Sequence, residues 1–145
     1  MLVGLNDQRQ KGSTPMTPVE TMQAIYGHIR KGEWDEIDHY LSDNFIAYEP
    51  TSLPFGGEWK GEGVYKRLFA KVMGTFDSPQ VEPIDMSGGS EWVTYCLNLS
   101  FISKTSGERV SYRVVENGRV IDGKMTELHL HYFDTANILK DLGGP

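Results

Sequence analysis

VSYRVVENGRVIDGKMTELHLHYFD, running from Val110 to Asp134, decides the fold. Residues 109–121 alternate in the two-residue period of a strand with one buried face. Val110, Tyr112, Val114, Glu116, Gly118 and Val120 fall on one side. Arg109, Ser111, Arg113, Val115, Asn117 and Arg119 fall on the other. Asp122-Gly123 is the dipeptide of a two-residue hairpin. The next strand, 124–133, turns Leu128, Leu130 and Tyr132 to the same inner face and His129 and His131 to the outer one. Two long antiparallel neighbours of this kind, one face apolar, are half of a curved sheet awaiting a helical layer.

Glu116 breaks the apolar face. An unpaired carboxylate on a buried surface is costly, so it is paired, protonated or beside a cavity. The alternative is a one-residue bulge that turns it to solvent. The alternation resumes at Val120, which favours the inward reading and predicts that Glu116 titrates above an ordinary glutamate.

Working outward, residues 92–102 alternate as cleanly. Val93, Tyr95, Leu97, Leu99 and Phe101 oppose Thr94, Cys96, Asn98 and Ser100. Turns at Ser87–Ser90 and Thr105–Gly107 delimit this strand, and residues 80–86 form a short one before it. Upstream, Thr17-Pro18-Val19-Glu20 is a capping box with proline in the first turn. The stripe Val19, Met22, Ile25, Tyr26, Ile29 gives the helix its apolar face, and Lys31-Gly32 ends it. A second short helix presents Trp34, Ile37 and Leu41, and Ser42-Asp43-Asn44 breaks it. Strand 45–49 ends at Glu49, on the face of Phe45 and Ala47, before Pro50 and a Pro/Gly loop. A third helix, 62–76, carries Tyr65, Leu68, Phe69, Val72 and Phe76. Asp134-Thr135 opens a short terminal helix. The order predicts an α+β domain over 17–145 behind a flexible tail, 1–16.

The 145 residues, 39% of them hydrophobic, suffice for one core. A net charge of −6 without a Lys/Arg cluster argues against nucleic acid and acidic membrane partners. No stretch has the length of a bilayer span, and the opening residues lack a signal peptide's apolar segment. These features predict a soluble cytoplasmic protein. The single cysteine, Cys96, allows no internal disulfide. His129 and His131 share the outer face with Glu127, but no supporting ligand spacing accompanies them, so no metal site is expected.

VETMQAIYGHIRKGEWDEIDHYLSDNFIAYEP and VVENGRVIDGKMTELHLHYFD resemble the opening and closing segments of the NTF2-like superfamily, in its SnoaL-like and ketosteroid-isomerase branch. The resemblance spans roughly 17–140. It implies a cone: a strongly curved antiparallel sheet wrapped around three N-terminal helices and an apolar pocket. It also implies a homodimer through the outer sheet face. Glu49-Pro50 matches the branch's proton-transfer base, and Glu116 its protonated hydrogen-bond donor to an enolate. Counting back from Gly32, the branch's first-helix tyrosine falls on Ile25, with Tyr26 next to it. Gly118 stands where relatives carry a large aromatic residue, which implies a larger pocket.

Together these readings predict a cofactor-free proton-transfer enzyme, an isomerase or aldol-type cyclase, acting on a small hydrophobic carbonyl compound. Glu49, Glu116 and Tyr26 are its candidate catalytic residues. Trp59, Tyr95, Tyr112, Leu128, Leu130 and Tyr132 are candidate pocket residues, with residues 50–57 as the pocket's mouth. The alternative is a non-catalytic small-molecule-binding or dimerisation module on the same fold.

Overall fold

The computed structural model describes residues 14–144, so residues 1–13 of the expected tail lie outside the described residues. Helix α1 spans Pro18–Lys31. Its capping box forms as expected: Glu20 N–H donates to Thr17 Oγ1 at 3.1 Å, and Thr17 N–H to Glu20 Oε1 at 2.9 Å. A four-residue helix α2, Trp34–Ile37, continues as a 3-10 turn, Asp38–Tyr40. Strand β1 is Leu41–Glu49 and β2 is Gly57–Lys60. Helix α3 is Val64–Thr75. The strands β3 (Gln80–Gly88), β4 (Trp92–Ile102), β5 (Arg109–Ile121) and β6 (Lys124–Tyr132) follow, then helix α4 (Thr135–Asp141).

All six strands join one sheet in the order β2-β1-β6-β5-β4-β3. The β4–β5 and β5–β6 ladders carry the expected alternation. Tyr95, Glu116 and Leu130 lie side by side across three strands, as do Val93, Gly118 and Leu128. The Asp122-Gly123 hairpin takes positive φ at both central residues, 52° and 76°, the conformation in which an aspartate and a glycine are tolerated best.

Four expectations are corrected. The sheet is mixed rather than wholly antiparallel, because β1 pairs parallel to β6, with Ala47 opposite Leu128. Three helices do not precede the sheet as a block: α1 and α2 do, but β1 and β2 come before α3. The second helix does not extend to Ser42-Asp43-Asn44: β1 starts at Leu41 and includes these residues, and its register against β6 shifts between Leu41 and Ile46. Part of the expected Pro/Gly loop is strand β2, with Glu49 opposite Gly57.

The core fills the space between the helices and the inner sheet face. Met22, Ile25, Ile37, Phe101, Met125 and Ile138 lose all solvent contact. Gly118 enlarges nothing. A Cβ there would stand 2.8 Å from Met125 Cε and 3.3 Å from Met22 Cε, so two methionines occupy the space an aromatic ring would take. At the far end, Asp141 accepts from the Tyr112 hydroxyl and from Ser103 Oγ at 2.7 Å, clamping α4 to the β4–β5 turn.

Candidate active site

A cavity of about 380 Å³ remains between α1, α3 and the inner sheet face. Its walls are built by alternation. Leu128, Leu130 and Tyr132 come from β6, Val114 and Glu116 from β5, and Tyr95, Leu97 and Leu99 from β4. Glu49 closes it at the end of β1. Helix α1 adds Tyr26, Ile29 and Arg30. Helix α3 adds Tyr65, Leu68, Phe69, Val72 and Met73, and β3 adds Val81 and Pro83.

Both inward acids are thus in one apolar space. Glu49 keeps 5% and Glu116 7% of its surface exposed. Desolvation pushes Glu116 up to about 7, opposed by the hydrogen bond it receives from Tyr26. Glu49 is pushed up to about 8, first by desolvation and then by the charge of Glu116, while the neighbouring Tyr132 hydroxyl favours its ionised form. Two acids that repel each other titrate as a pair, so between about 7 and about 8 the pocket passes through a form holding one negative charge and one proton between them.

The Tyr26 hydroxyl donates to Glu116 Oε1, and its ring meets Tyr95 edge-on at 4.8 Å between centroids. Ile25 is buried in the core. Helical phase therefore brings Tyr26, not Ile25, to the cavity. Burial and the nearby acids raise Tyr26, Tyr65 and Tyr132 well above 10, so all three remain hydrogen-bond donors. Glu49 Oε1 has no hydrogen-bond partner among the described residues. A buried carboxylate oxygen left unsatisfied is an acceptor held in reserve.

Two expected pocket residues lie elsewhere. Trp59 donates its ring N–H to the Phe55 carbonyl at 2.8 Å and packs against the core from β2, opposite Ala47. Tyr112 faces inward, but beyond the cavity, stacked on Phe101 at 5.9 Å and bound to Asp141. The mouth is also not at 50–57. Leu53 and Phe55 are buried, and no residue of that segment lines the cavity. Instead, the solvent-exposed lining residues are Arg30, Val81 and Pro83, at the end of α1 and on the edge strand β3. Glu49 is at the deep end, not at a rim. Sequence reasoning missed the lining from α3, because an apolar helical stripe reads as core whether or not it faces a void.

The outer face carries the histidines. His129 Nε2 lies 2.8 Å from Glu127 Oε1, and its ring stacks on Tyr48 at 4.7 Å. Among the described residues, no helix is long and apolar enough to cross a membrane.

A family model described as a SnoaL-like domain matches residues 22–128. The chain belongs to the SnoaL-like domain family. This SnoaL-like chain also shares its fold with solved structures at low identity. TerC, co-crystallised with polyporic acid, is 18% identical with a TM-score of 0.71, over 88% of this chain and 98% of that one. A putative SnoaL-like polyketide cyclase from Jannaschia sp. CCS1 is 15% identical with a TM-score of 0.66, over 88% and 93%. AclR, a putative hydroxylase from Streptomyces galilaeus, is 18% identical with a TM-score of 0.58, over 85% and 92%. No curated protein compared with the chain matches it.

The buried acids make stability depend on pH. Unfolded, both titrate near 4.5; folded, they hold their protons to about 7 and about 8. Within that window the folded state binds more protons than the unfolded state, so stability falls as pH rises through it. Urea midpoints are expected to decline across this range and to decline less in Glu49→Gln and Glu116→Gln. A slope identical in both variants and the parent would assign the loss to other groups.

Proposed function

We propose that this SnoaL-like protein is a cofactor-free proton-transfer enzyme acting on a hydrophobic ketone, as an isomerase or an aldol-type cyclase. The observation that carries this reading is the pair of buried carboxyls in one apolar cavity, one of them accepting from a tyrosine. The singly charged pair shares its one proton. Although Glu116 is the first to ionise, the reactive arrangement is the one with that proton on Glu116. In it, Glu49 removes a proton from the carbon next to the carbonyl. Glu116, protonated, accepts from Tyr26 through Oε1 and donates its own O–H to the oxygen that becomes the enolate. The proton then returns at another carbon, or the enolate carbon attacks a second carbonyl and closes a ring. A relative in fold described as a polyketide cyclase supports the second outcome.

The test needs no known substrate. In heavy water, a flat bicyclic ketone such as 2-tetralone should exchange its α-hydrogens faster with the protein than without it, read by proton NMR. The rate should be bell-shaped in pH, because only the singly charged pair has both a base and an acid; its limbs should follow the pair near about 7 and about 8. Tight ketone binding without accelerated exchange at any pH would replace this reading with a ligand-binding module.

We further propose a homodimer through the outer sheet face. Arg113 there is held by Asn98 Oδ1 at 3.0 Å, and Trp92, 41% exposed, borders His129. Sedimentation is expected to show twice the chain mass at micromolar concentration. Arg113→Glu should shift the population toward monomer; a monomeric parent protein overturns the assembly.

A further inference from the structure

The cavity is electrically lopsided. Glu49 lies on the β1 side and Glu116 midway, on β5, while the opening lies at the opposite edge, on β3. At the opening stands Arg30, the only cation among the described lining residues. The structure gives Arg30 no ion pair or hydrogen bond with any described residue. Its guanidinium lies back along α1, with one nitrogen 4.0 Å from where a side chain on Gly27 would begin. It is close enough to Tyr95, whose ring forms the wall next to Glu116, to stabilise that tyrosine's phenolate. The rest of the opening is apolar: Ile29, Met73, Val81 and Pro83. Val81 is 43% exposed on an edge strand that contributes little to the core.

An unpaired guanidinium on an apolar rim is a recognition element for an anion, because its donors are planar, fixed and weakly hydrated. The same anion would be repelled from the acid end. Distance sets the ligand's length. The opening on β3 lies two strand spacings from Glu116 on β5, roughly 9–10 Å, and Arg30 lines it from the last turn of α1. That is the span of a fused bicyclic skeleton with one substituent at each end.

We propose that the substrate is a flat, elongated amphiphile: an enolisable carbonyl at one end and an anionic group, carboxylate or equivalent, about one bicyclic skeleton away. The carbonyl enters first and reaches Glu49 and Glu116. The anion stays at the opening on Arg30, which fixes which end of the ligand meets the base. This inference rests on the proton-transfer reading for the role of the buried end, but the polarity of binding is measurable without turnover.

The probes are 6-hydroxy-2-naphthoate, its methyl ester and 2-naphthol, followed by ligand fluorescence. The phenol imitates an enol at the acid end; the carboxylate or ester occupies the opening. The parent protein is expected to bind the carboxylate roughly 3–10-fold more tightly than the ester, since a partly exposed charge pair contributes modestly. The preference should shrink as salt screens it. Arg30→Gln should abolish the preference while leaving ester affinity within about twofold, and Arg30→Lys should retain part of it. Equal or tighter binding of the ester by the parent protein, an unchanged preference in Arg30→Gln, or no binding of any probe overturns the proposal. Failure of α-hydrogen exchange with the carboxylate preference intact would overturn the chemistry instead and leave the ligand's polarity standing.

Discussion

Glu49→Gln is expected to lower turnover by roughly 10²–10⁴ while ligand affinity changes little. The two side chains have nearly the same shape, and both fit the end of β1 opposite Gly57. The amide cannot take up a proton. It also removes one of the two titrating groups in the pocket, so the variant's residual pH profile should simplify to a single titration, that of Glu116. Turnover of 2-tetralone exchange, or of any later substrate, measures the first effect. Carbon NMR of the Glu116 carboxyl measures the second. Full activity in Glu49→Gln, or weakened binding with turnover intact, removes Glu49 as the base.

Phe55→Ala is expected to have the largest effect on stability, a loss of roughly 3–5 kcal/mol. Phe55 is 1% exposed and joins the segment after β1 to the core. Its ring meets Phe76 at 5.9 Å and Tyr132 at 5.7 Å, and its carbonyl receives the Trp59 ring N–H. Next to it, a Cβ on Gly56 would lie 2.2 Å from the Pro50 carbonyl oxygen, so this segment cannot shift to refill the space. A domain of this size loses about 2–4 °C in Tm for each kcal/mol. Calorimetry should therefore show a fall of roughly 10 °C. A drop of only one or two degrees would mean that the loop collapses into the hole and that the aromatic cluster is looser than the geometry indicates. Because Tyr132 neighbours Glu49, the variant should also titrate differently at that carboxyl.

The long strands were legible because half-burial writes a period of two into the sequence. Residues 92–102 and 109–121 match β4 and β5 at both ends. The same period placed Glu116 inside, and the shift from Ile25 to Tyr26 was a matter of helical phase. What alternation reports is the face, not the position along the sheet. Tyr112 has the right face and lies past the cavity, where Asp141 holds its hydroxyl. Trp59 had no such pattern behind it, and its strand of four residues hid among prolines and glycines. Pairing partners are equally silent locally: nothing in Phe45–Glu49 says that its neighbour lies near residue 128 and runs parallel. Polar Ser42-Asp43-Asn44 joined β1 because the register shift there leaves Asp43 and Asn44 in water while the backbone stays extended. Arg30 looked like an ordinary cation in the last turn of a helix, where the dipole favours one. Only the cavity beside it gives it another meaning.

The parallel contact between β1 and β6 has a consequence for the order in which the protein becomes functional. Glu49 belongs to one of the first strands to be synthesised, and its floor, Leu128 to Tyr132, to the last. The buried surroundings of Glu49 depend on the pairing of β1 with β6. Such a long-range closure is slow compared with hairpin formation. The β3–β6 meander can assemble locally, whereas the pocket waits for the chain's two ends to meet. The raised pKa values of the pair therefore belong to the docked topology, in which β6 lies between β1 and β5.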